Sequence, residues 1–164
     1  PHSLTLIPRP HPSSRQVLEL SEAHNRPVHC LRLHEGSAHG ATPAAGHNLF
    51  LTSALDNVVK LWDLRSASCI RRFEAHVNRL HPLGATLSPC LRFVCAGSED
   101  KCAYLYDARS GSLIDKLRHS ETVTDVAFSP LFPQLAAASL SGHMRFYTDR
   151  PEEGVAADHD PYEQ

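Results

Sequence analysis

The chain has 164 residues, 41% of them hydrophobic, and its 16 basic and 18 acidic side chains give a formal net charge of -2. This length suits a single domain, and the near balance of charges argues against a general role in binding nucleic acid or a membrane surface. No apolar run is long enough for a transmembrane helix, so the composition is that of a globular protein.

The chain opens with two short runs typical of β-strands, HSLTLI and RQVLEL, which are separated by the proline-rich stretch PRPHPSS. The two runs predict the last strands of a preceding structural unit, and we interpret residues 1–15 as a linker or as the remnant of that unit. Because the first residue is Pro1 rather than methionine, we expect the sequence to be a piece of a longer protein.

Short apolar runs punctuated by Gly, Pro, Ser and Asn continue along the chain, whereas helical periodicity is scarce. This rhythm predicts an all-β fold. Strands are predicted near 28–33, 48–54, 58–63 and 69–73, then near 83–88, 91–98, 103–107 and 112–117, and finally near 123–128, 134–139 and 144–148. Residues 34–47, rich in small residues, predict a flexible surface loop, and residues 150–164 predict an acidic, disordered tail.

A repeat runs through these strands. Tyr106 follows Trp62 by 44 residues, and Tyr147 follows Tyr106 by 41 residues. Each aromatic ends a comparable run, DNVVKLWDLR, DKCAYLYDAR or SGHMRFYTDR, and a histidine followed by a strand precedes each run. Three features that recur in one order at a fixed period indicate a repeat architecture.

These runs resemble WD40 repeats, in which about 40–45 residues form one four-stranded blade. The resemblance covers residues 16–149 and implies a partial β-propeller of about three blades, near 24–74, 76–117 and 119–149. Residues 1–15 are then the linker to, or the remnant of, a preceding blade. Since a propeller usually closes with 4–8 blades, we expect this chain to be the C-terminal part of a larger propeller.

The resemblance also implies a hydrogen-bonded tetrad in each blade, formed by a histidine, a hydroxyl, a turn aspartate and a strand aromatic. Such a network fixes a thin sheet only if every buried member has a partner. In the first blade Ala54 stands where the hydroxyl is expected, which leaves Ser53 or Thr52 as alternatives, and in the third Ser141 replaces the aspartate. The expected members are His24, Asp56 and Trp62; His76, Ser98, Asp100 and Tyr106; and His119, Ser139 and Tyr147.

The sequence gives little evidence for a catalytic site or a metal-binding site. The five cysteines are odd in number and form no CxxC pair, so we expect reduced thiols, no disulfide framework and no zinc module. His34, His39 and His47 share the 34–47 loop, but this Gly/Ala-rich segment offers no fixed metal geometry. The chain has no nucleophile elbow, P-loop or dinucleotide fingerprint, and we expect no enzyme activity, no cofactor and no metal.

The endings WDLR and YDAR resemble the WDxR box of cullin-RING ubiquitin ligase substrate receptors. In that family the arginine helps to dock the propeller onto a damage-specific DNA-binding adaptor. The planar guanidinium suits bidentate capture of a partner's carboxylate or carbonyls, whereas an exposed pair with a neighbouring aspartate contributes little. The candidates for this docking are Asp63, Arg65, Asp107 and Arg109.

The resemblance therefore implies a non-catalytic scaffold for protein–protein interaction. A ligase substrate receptor is the alternative, and a metal-binding or enzymatic domain is a remote one. The expected partners are other proteins, including a cullin-RING ligase adaptor in the alternative, with no nucleic acid and no membrane. We expect an intracellular location, cytoplasmic or nuclear. One face should present the partner-binding residues Arg26, Arg79, Glu99, Leu55 and Leu140.

Overall fold

The computed structural model describes residues 2–6, 18–34 and 44–149, and within them the protein contains no α-helix. Within each sheet, strands that follow one another in the sequence pair antiparallel. The strands are β1 His2–Leu6, β2 Leu18–His24, β3 Val28–Leu33, β4 Leu49–Ala54, β5 Val58–Asp63, β6 Ser68–Phe73, β7 Ala85–Leu87, β8 Phe93–Gly97, β9 Cys102–Asp107, β10 Leu113–Arg118, β11 Val123–Phe128, β12 Gln134–Ser139 and β13 Met144–Thr148. A 3-10 helix, Ala44–Asn48, precedes β4.

The strands form a series of small sheets, so the chain is an all-β, partial propeller as its sequence predicts. The first blade is β3-β4-β5-β6, the second is β7-β8-β9-β10, and the third is β11-β12-β13. A two-stranded sheet, β1-β2, stands before the first blade, where the sequence predicts the strands of a preceding unit. The third blade has three strands among the described residues, in line with the missing fourth strand of the third repeat.

Apolar side chains from both faces of each sheet build the core, because neighbouring residues on a strand point to opposite faces. On β4, Phe50 packs towards the β1-β2 sheet with Trp62, whereas Leu51 packs towards the second blade. A third cluster, which includes Val123 and Leu135, joins the second blade to the third. The blades are therefore held to one another face to face.

Antiparallel order gives the molecule two faces. The upper face carries the turns 55–57, 99–101 and 140–142 and the loop 77–82 that leads into the second blade. The lower face carries the turns 64–67 and 108–112 and the loops 88–92 and 129–133. Two upper turns use the left-handed region at non-glycine residues, Asn57 with φ 63° and Lys101 with φ 65°. The third uses Gly142, for which that region carries no steric penalty.

Among the described residues, no helix is both long and apolar enough to cross a membrane. The expectations for residues 1, 7–17, 35–43 and 150–164 lie outside the described residues, and they include the proline-rich connection, most of the 34–47 loop and the acidic tail.

Candidate functional site

The first blade contains a complete hydrogen-bonded chain of four side chains. Trp62 Nε1 donates to Thr52 Oγ1 at 2.8 Å, and the same oxygen lies 2.7 Å from His24 Nε2. His24 Nδ1 lies 3.0 Å from an Asp56 carboxylate oxygen, and because a carboxylate only accepts, Nδ1 carries the proton. Thr52 is thus the hydroxyl that the sequence left open between Thr52 and Ser53.

This chain also organises the upper face. The Asp56 carboxylate accepts backbone N–H groups from Asn25 at 3.1 Å and Val58 at 3.2 Å, which ties the turn 55–57 to the end of β2. Burial lowers the pKa of His24, and Asp56 offsets part of that effect, so the imidazole is held neutral between Asp56 and Thr52. A neutral ring fits the donor and acceptor roles assigned to its two nitrogens.

The second blade does not form the expected network. Ala96 occupies the position equivalent to Thr52, 44 residues along, and offers no hydroxyl. The Tyr106 hydroxyl instead reaches His76 directly, accepting its backbone N–H at 3.0 Å and lying 3.2 Å from Nδ1. His76 Nε2 is buried without a hydrogen-bond partner among the described residues. Burial lowers the pKa of His76 to about 4, against the opposing effect of Asp100 and Asp56.

The expected roles of Ser98 and Asp100 therefore need correction. Ser98 Oγ accepts the backbone N–H of Val77 at 2.9 Å. Asp100 is exposed and accepts the hydroxyl of Tyr104 at 2.5 Å. Both residues fix the local backbone or a neighbouring tyrosine rather than the His76 ring.

The third blade departs from the expected network in a similar way. The Tyr147 hydroxyl lies 3.0 Å from His119 Nε2, without an intervening hydroxyl. Ser139 Oγ lies 2.9 Å from Ser141 Oγ and donates to the His143 carbonyl at 3.1 Å, so it braces the turn instead.

On the upper face, one carboxylate holds an entire loop. Glu99 Oε1 accepts the backbone N–H groups of Arg79, Leu80 and His81 at 2.8, 2.5 and 3.0 Å. Burial raises the pKa of Glu99, but these three donors outweigh it, and the pKa lies below its usual value. The clamped loop presents Leu80, whose side chain is 76% exposed.

The predicted partner-binding residues of the upper face fall into different environments. Arg26 and Arg79 are exposed, and Leu140 is 61% exposed. Leu55 is half-buried, and the Glu99 carboxylate is engaged by the 79–81 loop. Sequence reasoning missed Leu80, although an apolar residue in the polar loop NRLH was a usable signal.

On the lower face, the two WDxR endings adopt the same turn. The Asp63 carboxylate accepts the backbone N–H of Arg65 at 2.8 Å, and Asp107 accepts that of Arg109 at 3.0 Å. Both aspartates therefore stabilise their own turns. The Arg65 side chain is 67% exposed and lies 3.5 Å from Asp63, and Arg109 is exposed.

A cavity of about 680 Å³ opens on the lower face between the second and third blades. Phe93, Leu105 and Leu117 of the second blade line it, and Phe128, Leu135 and Tyr147 of the third blade lie opposite. We call it the interblade pocket. Nowhere in the described residues do three potential metal-ligating side chains come together, and the five cysteines are free thiols.

Comparison with known proteins finds a matching family, a similar solved structure and several related sequences. Residues 14–63, 67–107 and 111–148 match the WD40 family, described as WD domain, G-beta repeat. The computationally designed Ika4 protein has a similar structure, with a TM-score of 0.64 over 82% of this chain and 72% of that chain. At 17% sequence identity, this likeness bears on the fold alone.

Several natural relatives share about three residues in ten with the chain. It is 31% identical over 106 residues to WD repeat domain-containing protein 83 of Danio rerio, which covers 64% of this chain and 33% of that protein. It is 29% identical over 126 residues to the U5 small nuclear ribonucleoprotein 40 kDa protein of Dictyostelium discoideum (75% and 34%). It is 28% identical over 134 residues to pre-mRNA-processing factor 17 of Saccharomyces cerevisiae (77% and 29%). The chain spans between 17% and 34% of the length of the relatives that it matches.

Proposed function

Since this chain belongs to the WD domain, G-beta repeat family, we propose that it acts as a non-catalytic scaffold that binds other proteins through the upper face of its blades. WD repeats and relatives named for multi-component assemblies support an interaction role. The mechanism is rigid presentation, in which stiff sheets hold loop side chains ready for a partner.

The clamped loop is the observation that carries this proposal. An exposed leucine on a loop normally costs conformational entropy when a partner immobilises it. Three hydrogen bonds to Glu99 remove much of that freedom beforehand at residues 79–81. Leu80, with Arg79 beside it and Leu140 on the same face, gives apolar and cationic contacts of the kind that interfaces use.

The proposed non-catalytic character rests on the hydrogen-bonded network of the first blade. Thr52 Oγ1 is buried and engaged by both Trp62 and His24, so it is not an available nucleophile. The balanced charge supports a protein rather than a nucleic acid as the direct partner, even though one relative is named as a small nuclear ribonucleoprotein protein and another as a pre-mRNA-processing factor. Those names also support the proposed intracellular location, cytoplasmic or nuclear.

Affinity capture tests the scaffold proposal. The full chain carrying a tag is exposed to cell extract, and bound proteins are identified by mass spectrometry. Leu80→Ser should lose the proteins that the wild type retains, because it removes the apolar anchor and leaves the Glu99 clamp to the backbone. Ile114→Ser is the matched control, since Ile114 is 49% exposed on the outer strand β10. An identical set of proteins from wild type and Leu80→Ser contradicts the proposal.

A ligase substrate receptor is a second candidate function, and the equivalent placement of two arginines favours it. Arg65 and Arg109 extend from matching turns on the lower face, and both are exposed. If they dock a cullin-RING adaptor, the double change Arg65→Ala and Arg109→Ala should abolish recovery of that adaptor in a pull-down while circular dichroism stays unchanged. Equal recovery from both proteins excludes the docking role.

A further inference from the structure

Several residues at the junction of the second and third blades, where the interblade pocket lies, are smaller or more polar than their counterparts at the preceding junction. At the first junction, Phe73 packs on Tyr106 with ring centroids 5.2 Å apart. Forty-four residues after Phe73, the corresponding position on β10 holds Leu117. On the third blade, the position equivalent to Tyr104 holds the exposed Arg145.

Two further replacements remove volume from the second blade's side of the same junction. Leu51 is matched by Cys95 and Val59 by Ala103, each 44 residues along. Of these replacements, Leu117 lines the 680 Å³ cavity, whereas Cys95 and Ala103 are packed in the core cluster beside it. A pocket of this size and apolar character is within the range that holds a ligand or a large side chain.

The mouth of the pocket is built from loops held by hydrogen bonds. Ser129 Oγ accepts the backbone N–H groups of Leu131 and Phe132 at 3.3 and 3.2 Å. On the other side, Ser88 Oγ accepts the backbone N–H of Phe93 at 2.9 Å. Leu131 and Phe132 remain 49% and 59% exposed. The mouth thus presents apolar side chains on an ordered backbone.

Positive charge lies at one side of this mouth. The Arg92 guanidinium lies over the Phe93 ring, 5.4 Å from its centroid. Among the described residues no carboxylate lies within ion-pair distance of it, and its charge helps to lower the pKa of Asp107. The Arg92 carbonyl accepts the backbone N–H of Ala108 at 2.8 Å. The next residue after Ala108 is the exposed Arg109. Asp149 is the acidic residue of the lining, at the end of β13. An acidic ligand beside Arg92 would complement this charge.

We propose that the interblade pocket binds an acidic peptide segment of a partner protein, taking one large apolar side chain into the cavity and pairing a carboxylate of the segment with Arg92. This inference rests on the proposed scaffold function and adds a second, lower-face contact to it. The exposed Arg92 guanidinium offers a planar set of donors to a carboxylate, and the apolar walls supply the burial energy.

The test is fluorescence anisotropy with the full 164-residue chain. The probe is a labelled synthetic peptide with one central phenylalanine between runs of aspartate. Two matched peptides carry lysine in place of aspartate, or serine in place of phenylalanine. The acidic phenylalanine peptide should bind at least about tenfold more tightly than either control, because each control removes one of the two contacts.

Two variants locate the binding. Arg92→Glu reverses the charge at the mouth, and Leu117→Phe restores the larger side chain of the preceding junction. Each should weaken binding by about tenfold or more. Arg71→Glu makes the same charge change at an exposed position on β6 of the first blade and should leave binding unchanged. Because Arg92 is exposed, its variant remains informative if Leu117→Phe alters packing, which thermal unfolding reports.

The overturning outcomes are distinct. Absence of binding, equal binding of the lysine peptide, or insensitivity to Arg92→Glu each refutes the proposal. If the acidic peptide binds only to the double variant Glu152→Lys and Glu153→Lys, the chain's own C-terminal residues compete for the pocket. That result assigns the pocket to those residues instead. Concentration-dependent dimers that Leu117→Phe abolishes assign it to a second copy. Leu80→Ser should leave peptide binding intact, so a failure here is separable from a failure of the upper-face proposal.

Discussion

At the scale of single residues, Thr52 and Tyr106 contact buried histidines by two different routes. In the first blade the indole N–H of Trp62 and the hydroxyl of Thr52 together span the distance to His24. In the second blade the longer reach of the Tyr106 hydroxyl covers that distance alone, and Ala96 replaces the threonine. The third blade repeats the second solution with Tyr147 opposite His119.

Thr52→Val should destabilise the chain by about 2–4 kcal/mol, because it leaves both the Trp62 N–H and the His24 Nε2 buried without a partner while preserving the side-chain shape. Thermal unfolding followed by circular dichroism measures the effect. Ser66→Ala, which removes an exposed hydroxyl from a lower-face turn, is the control and should be near neutral. Equal melting temperatures for the two variants would contradict the network.

The pairing of tyrosine with alanine predicts energetic coupling. Tyr106→Trp alone should destabilise the chain, because the indole N–H at this position finds no hydroxyl on Ala96. Adding Ala96→Thr should recover part of the loss, with a coupling energy of about 1 kcal/mol in a double-mutant cycle. Denaturant unfolding of the wild type, both single variants and the double variant gives that energy, and additive effects would show that the two positions are independent.

His76 predicts a specific acid sensitivity. Burial lowers its pKa from 6.5 to about 4, so the folded chain keeps the ring neutral while the unfolded chain takes up a proton. The free energy of unfolding should therefore fall as the pH drops from about 6.5 to about 4, by about 3 kcal/mol from this group. Urea unfolding across this pH range measures it. His76→Gln should flatten the decline, and an unchanged pH profile in that variant would refute the assignment.

At the scale of elements, alternating apolar residues and turn punctuation predicted the strands well. The predicted strands 58–63, 123–128, 134–139 and 144–148 match the structure residue for residue. The prediction of 83–88 was too long, since β7 covers only Ala85–Leu87. Gly84 instead bonds to Thr124 in the next blade, which is a long-range contact that no local pattern encodes.

The candidate site was less predictable than the strands for the same reason. Histidine and aromatic positions follow from the repeat, but their partners depend on which hydroxyl faces them across the sheet. The sequence left Thr52 and Ser53 open because strand register decides which of them meets Trp62. The pocket is lined by residues of two blades, so it becomes visible only once the packing is known.

The third blade should be the least protected element. Among the described residues β13 pairs only with β12, and Met144 and Phe146 on it are 68% and 75% exposed. Strands bonded on one side open at lower free energy than central ones. Hydrogen exchange followed by mass spectrometry should show faster exchange in β13 than in β4 and β5. Equal protection of β13 and β5 would mean that another segment covers this edge.

At the scale of the whole molecule, the sheets of the repeats are rigid and their loops present the side chains for contact. Buried networks and interblade clusters fix the sheets, and the upper-face turns are tied to neighbouring loops, as Asn57 is to Asn78 through two hydrogen bonds. The exposed side chains on those loops are consequently held in place without a bound partner. This arrangement is suited to recognition by a preformed surface.

The most direct test of the scaffold account is the dissociation constant of a captured partner protein, measured by calorimetry for the wild type, Leu80→Ser and Ile114→Ser. If the clamped loop is the anchor of the upper face, Leu80→Ser should weaken binding by at least about tenfold, or about 1.4 kcal/mol, while Ile114→Ser binds like the wild type. Equal dissociation constants for the wild type and Leu80→Ser, with both proteins folded, would contradict the account.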